Sequence, residues 1–306
     1  MLRAWGSGAI ILLAVARVQG QTQDETRRLL LQQVEAGQTQ EAITLGQKAI
    51  TQWPEDADIR HWLGLAYFKS GALQSAREQL ERARDLNQKD AAVWFDLALA
   101  CLSQPDYTAA ANALEASLKI APSNPLAHVL LGRAYLNSNR SLQAIDEFKT
   151  ALRLNPEIRL GHYHLGFSYG SLGRNDEAIA EYRIELQRSG EHPEVVYQLG
   201  HSLLESGKHA EAIGHLRRAA ELAPQNADIW YNLGKAQLLA GQTAQAEISL
   251  RRAIELNAND PSPHYQLARA LDKLGRNDEA RKERARFAEL KKAQPATAGM
   301  ATARDQ

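Results

Sequence analysis

Apolar and small residues return along this chain at helical spacing, and the helical pattern itself returns in blocks. Within a block, positions 4, 7, 8 and 11, then 20, 24, 27 and 28, lie three or four residues apart, which sets them on one face of each of two helices. The block length is 34 residues: Leu29, Leu63, Leu97, Leu131, Leu165, Leu199, Leu233 and Leu267 stand at position 7 of eight successive blocks. Position 20 is Ala42, Ala76, Ala110, Ala144, Ala178, Ala212, Ala246 and Ala280. The blocks run 23–56, 57–90, 91–124, 125–158, 159–192, 193–226, 227–260 and 261–294. A breaker at position 15 (Gly37, Gly71, Pro105, Asn139, Gly173, Gly207, Gly241, Gly275) suits a helix terminus or tight turn. Pro54, Pro122, Pro156 and Pro224 at position 32 end the second helix. Each block is therefore predicted to be a pair of antiparallel helices. Small residues at positions 8 and 20 let the pair approach closely. The position-7 leucine, worth about 1.5–3 kcal/mol when fully buried, fills the space between neighbouring pairs.

A fixed period of this length decides the architecture before any other feature. Trp230, Leu233, Gly234, Ala246, Leu250 and Ala253 in the seventh block match the signature of the tetratricopeptide repeat. The chain resembles that family over residues 23–294 of its 306. The resemblance implies an all-α fold, a right-handed α-solenoid of antiparallel helix pairs, with a concave groove lined by the first helix of each repeat. It also implies binding of proteins or peptides rather than catalysis. Stability in a solenoid is a sum over units and their interfaces, so the poorly matching ends read as caps. Leu30 replaces Gly and Gly46 replaces the bulky residue in the first block, while Arg284 and Phe287 take apolar or small positions in the last.

Outside the blocks, the opening MLRAWGSGAIILLAVARVQGQ sets Arg3 ahead of an apolar stretch at 9–16, followed by Arg17 and small or polar residues. That is the layout of a secretory signal peptide, here 1–20, cleaved near Gly20. The stretch falls short of the roughly 20 residues that cross a bilayer. Export to a periplasm or the cell exterior is expected, with no stable membrane span. Residues 295–306 read as a disordered tail.

Charge and composition narrow the partners. Lys plus Arg number 36 and Asp plus Glu 36, so no net positive field gathers phosphate backbones, and nucleic acid is disfavoured. One cysteine, Cys101, excludes an internal disulfide framework and multi-thiolate metal sites, and it is expected to be a small buried hydrophobe. His128, His162 and His264 fall at position 4, where Trp94 and Trp230 stand in other blocks, and read as alternatives for one packing role. His201, His209 and His215 occupy positions 9, 17 and 23 and do not converge as metal ligands. No Gly-rich phosphate loop, nucleophile elbow or H-E-x-x-H helix occurs. No metal, no cofactor and no enzymatic activity are expected, because the repeats leave no room in this sequence for a catalytic domain.

In the family's geometry, positions 2, 5, 6, 9, 12 and 13 of the first helix face the groove or its edge. In the second to fourth blocks these positions are largely apolar: Trp62, Leu65, Phe68, Phe95, Leu99, Leu102, Val129, Leu130 and Leu136, with Arg133 at position 9 of the fourth. From the fifth block on, position 5 is Tyr163, Tyr197, Tyr231 and Tyr265. Beside it, position 6 reads His164, Gln198, Asn232 and Gln266, and position 9 reads Phe167, His201, Lys235 and Arg269. Tyrosines and side-chain amides can hold an extended backbone whatever its sequence. Alternatively, the tyrosines pack partly against the next repeat. The fifth block departs from the pattern, ending IELQRSGEHP with Glu185 at the normally small position 27. That end is either a hinge or an exposed helix end in which Glu185 pairs with Arg188. The expected function is a protein-binding scaffold. The alternatives are a structural or assembly component of a bacterial envelope complex, including a homo-oligomer, and a carbohydrate-handling module using groove aromatics.

Overall fold

A computed structural model describes residues 22–293, all of them in helices or short connections with no strand among them. The leader at 1–20 and the tail at 295–306 lie outside the described residues. The chain divides into two compact units, one up to Ile158 and one from Arg159 onward. The first holds α1 (Gln23–Glu35), α2 (Thr39–Gln52), α3 (Ala57–Lys69), α4 (Leu73–Leu86), α5 (Ala91–Ser103), α6 (Tyr107–Ile120), α7 (Pro125–Asn137) and α8 (Ser141–Leu154). The second holds α9 (Gly161–Ser171), α10 (Asn175–Ser189), α11 (Pro193–Glu205), α12 (His209–Leu222), α13 (Ala227–Leu239), α14 (Thr243–Leu256), α15 (Pro261–Lys273) and α16 (Asn277–Ala293). Every expected helix pair is present, and each unit is an α-solenoid.

The helix boundaries follow from side chains at fixed positions. Asp56, Asp90 and Asn124 accept backbone N–H groups in the first turns of α3, α5 and α7, and Asn226 and Asp260 do the same for α13 and α15. Thr22 and Glu25 form a reciprocal capping box on α1. At position 15 the backbone turns left-handed in each repeat, with φ of 81° at Gly71 and 56° at Asn139. The N–H one residue on then reaches back five residues, as Ala72 does to the Tyr67 carbonyl and Lys208 to the Leu203 carbonyl, closing the first helix in a Schellman turn.

Packing within a pair sets a glycine at position 8 against a bulky residue at position 24. A Cβ on Gly132 would stand 2.7 Å from two ring carbons of Phe148, one on Gly166 2.8 Å from the Tyr182 ring, and one on Gly234 2.6 Å from Leu250. In the first repeat the sizes are exchanged: Leu30 is fully buried and the small Gly46 receives Leu63 of the next repeat. This accounts for both departures noted in the first block. Between repeats, the buried Asp56 carboxylate accepts from Gln23 and Arg27 of α1. Burial alone would raise its pKa, but Gln23, the Ile59 N–H and Arg27 outweigh burial and hold it below the usual range.

The position-4 residues share more than a packing role. His128 Nε2, Trp94 Nε1, Trp230 Nε1 and Arg60 Nε each meet a carbonyl six residues upstream, on Pro122, Gln88, Pro224 and Pro54. The histidines add a second tie across the pair: His128, His162 and His264 each set Nδ1 within 2.7 Å of a carboxylate at position 23, on Glu147, Glu181 and Glu283. Cys101 is buried, and burial raises its thiol pKa.

Candidate functional site: the inner faces of the first helices

Within each unit, consecutive first helices approach one another, α1 to α3 to α5 in the first, and α9 to α11 to α13 to α15 in the second, more closely than consecutive second helices do. The first helices therefore line the inside of each unit's curve. Their side chains at positions 5, 6, 9 and 12 are the candidate site.

In the first unit, Trp62, Leu65, Phe68, Phe95, Leu99 and Leu102 lie half-buried along α3 and α5, and Val129 and Leu130 of α7 are buried. Arg133 is exposed on the same helix. The polar interruption is tied down: His61 Nε2 stands 2.6 Å from the Asp96 carboxylate, linking α3 to α5. What remains facing solvent is a strip of partly exposed aliphatic and aromatic side chains.

The second unit is organised around its tyrosines. Tyr163 packs on Tyr182 and Phe167, with ring centroids 6.1 and 6.3 Å away, and edge-on to His164 at 5.2 Å. Burial, with the Glu194 carboxylate adding to it, pushes the Tyr163 phenol up to about 12. Tyr197 is likewise pushed up to about 12 by burial, then by Asp228 and Glu194, so both phenols stay neutral. Asn232 Nδ2 donates to the Tyr197 hydroxyl at 3.1 Å and to the Asp228 carbonyl at 2.9 Å. This amide, at 6% exposure, is spent inside the fold. Gln198 donates to Glu194. At position 9, burial holds the His201 imidazole below its usual pKa, and Lys235 donates to Glu205 of the preceding repeat at 2.8 Å. Tyr231 is half-buried, while Phe167 and Tyr265 are 40% and 47% exposed. Tyr265 is flanked by Phe287 at 5.4 Å and by the Arg269 guanidinium 6.0 Å from its ring centroid, and Gln266 accepts from Arg269.

Each ring of the tyrosine column is thus packed against neighbouring side chains and still keeps part of its surface exposed. Two residues that sequence reasoning passed over belong here as well. Glu194 and Asp228 stand at position 2 of α11 and α13, beside Tyr163 and Tyr197, with no Lys, Arg or His within ion-pair distance among the described residues. Acidic residues in a first helical turn suit the helix dipole, which hides any further role in the sequence.

Glu185 is buried rather than solvent-facing. It is 3% exposed, accepts from the Ser189 hydroxyl, and accepts the Tyr163 N–H at the start of α9. That helix begins after Leu160, whose φ is 58° and whose side chain caps nothing. Glu185 supplies from position 27 the acceptor that Asp or Asn supplies elsewhere.

Among the described residues no group of three or more His, Cys, Asp or Glu is placed to hold a metal ion, and no helix is long and apolar enough to cross a membrane. Two surface hollows lie away from the inner faces, one at the turn of residues 207–211 and one along α4 beside Arg60.

Models described as tetratricopeptide repeat match residues 33–99, 102–165, 161–183, 197–261 and 249–282. No curated protein matches the chain by sequence. Among solved structures, the chain is similar to the hetero-tetramer Cut9-Hcn1 of the APC/C, with TM-score 0.55 and 17% identity over 79% of this chain and 48% of that one. The chain thus spans about half the length of that relative. It is also similar to MamA from Desulfovibrio magneticus RS-1 (TM-score 0.54, 19% identity, 56% of this chain and 97% of that one). A third is MamA AMB-1 (TM-score 0.51, 30% identity, 54% of this chain and 98% of that one).

Proposed function

Because the chain belongs to the tetratricopeptide-repeat family, we propose that it is a non-enzymatic scaffold that holds a protein or extended peptide against the inner faces of its first helices. The observation that carries the reading is the row of large apolar and aromatic side chains left partly exposed there, from Trp62 to Leu102 in one unit and from Tyr163 to Tyr265 in the other. Partly exposed aromatic rings set in rigid helices are the residue type that dominates protein interfaces. Photocrosslinking side chains placed at Leu65, Leu99 and Gln266 should trap a partner in the native setting. The same groups at Leu142 and Ile248, exposed on second helices, should not. Trapping from the second-helix positions alone would move the site to the outer face.

Export belongs to the same proposal. The early base and short apolar stretch of residues 1–20 support a cleaved leader. N-terminal sequencing of the mature protein is expected to begin near Gln21, and a mature protein beginning at Met1 would contradict this.

A further inference from the structure

Position 9 of the second unit carries basic or titratable side chains at His201, Lys235 and Arg269, yet across the fifth to seventh repeats the geometry leaves the inner face acidic. Lys235 is neutralised by Glu205 at 2.8 Å. His201 lies half-buried between this pair and the Tyr197 ring, 6.2 Å away, and burial holds its pKa below the usual imidazole value. The opposite edge carries Glu194 and Asp228 at equivalent places one repeat apart, without cationic partners among the described residues. Between the edges stand the rings of Tyr163, Tyr197 and Tyr231. Two uncompensated carboxylates beside neutral aromatic faces are complementary to guanidinium or ammonium groups, by charge and by cation–π attraction.

Resting on the scaffold reading above, we infer that the inner face of the fifth to seventh repeats takes a polypeptide segment rich in arginine or lysine, its cationic side chains set against Glu194 and Asp228 and over the tyrosine rings. An acidic segment would meet two carboxylates there, with the Lys235 ammonium already held by Glu205. A purely apolar one would desolvate both carboxylates without supplying a counter-charge. Arg269, exposed on α15 over Tyr265, lies beyond them and marks the end of the acidic stretch.

The test uses the full chain and two labelled dodecapeptides, four repeats of Arg-Ala-Ser and four of Glu-Ala-Ser, titrated by fluorescence anisotropy at about 50 mM and about 300 mM salt. The arginine peptide should bind, weaken with salt, and lose about tenfold in affinity in the Glu194→Gln/Asp228→Asn variant. Arg269→Glu, which replaces an exposed base beside Tyr265 with an acid, should tighten it. Preference for the glutamate peptide, no binding of the arginine peptide, or an affinity unmoved in the double variant would each overturn the inference. In the last case the two carboxylates serve only the helix dipole. Loss of partner crosslinking at Gln266 would count against the scaffold reading itself, whereas an unmoved peptide affinity with crosslinking retained removes only the basic partner.

Discussion

Glycine at position 8 is a requirement of volume rather than of backbone freedom, since it lies within a helix and the facing side chain occupies the space of a Cβ. Gly132→Ala is expected to destabilise the protein by about 1–3 kcal/mol, because the Phe148 ring 2.7 Å away has to move. Gly214→Ala, with nothing within 4 Å, should be neutral or stabilising by up to about 1 kcal/mol. Urea unfolding followed by circular dichroism reads both. Pro105 is the opposite case: its φ of +23° lies where the pyrrolidine ring does not belong, at a position glycine fills in most other repeats. Pro105→Gly should therefore stabilise by about 1 kcal/mol or more, and a lower midpoint would contradict the assigned turn. At Asp56 the folded-state pKa is depressed. Its contribution is present above the unfolded value of about 3.9 and is lost as pH falls through the folded value. Stability should drop below about pH 4, and part of that drop should vanish in Asp56→Asn, which should cost about 1.5–3 kcal/mol at neutral pH.

At the scale of elements, the sequence made the helices legible because many boundaries are written by one local residue: an Asp or Asn cap, a left-handed glycine, a proline beyond the end. It failed where the boundary depends on a distant residue. Leu160 offers α9 no cap, and Glu185, 25 positions downstream, does so from the adjoining helix; from sequence alone that glutamate could only be a hinge or a surface pair. Glu185→Ala restores the residue type usual at position 27 yet should destabilise by about 0.5–2 kcal/mol, the worth of a cap. Amide exchange should speed up at 161–164. Unchanged exchange there would show that the α9 start is held by other contacts. Asn232 was obscured in the same way, since its partner in the preceding repeat, the Tyr197 hydroxyl, reaches it only when repeats stack.

For the whole molecule, the period of 34 residues specified the repeats, because position 7 and position 20 carry the same residue in every pair and position 8 carries a small one in all but the first. The ligand-facing positions answer to no such recurrence. They were legible as a list of side chains, with the oily strip of the first unit and the tyrosines of the second, but not as a charge distribution. The sign of the second face depends on which bases are already paired and which acids are not. The central claim is that the inner faces of the first helices capture a protein partner. It is tested most directly by replacing Tyr163, Tyr197 and Tyr231 with Ala and measuring partner capture by native crosslinking, with helical circular dichroism as the control for folding. Capture lost while the helical signal is kept is the predicted result, and capture undiminished by the triple substitution would contradict the claim for the second unit.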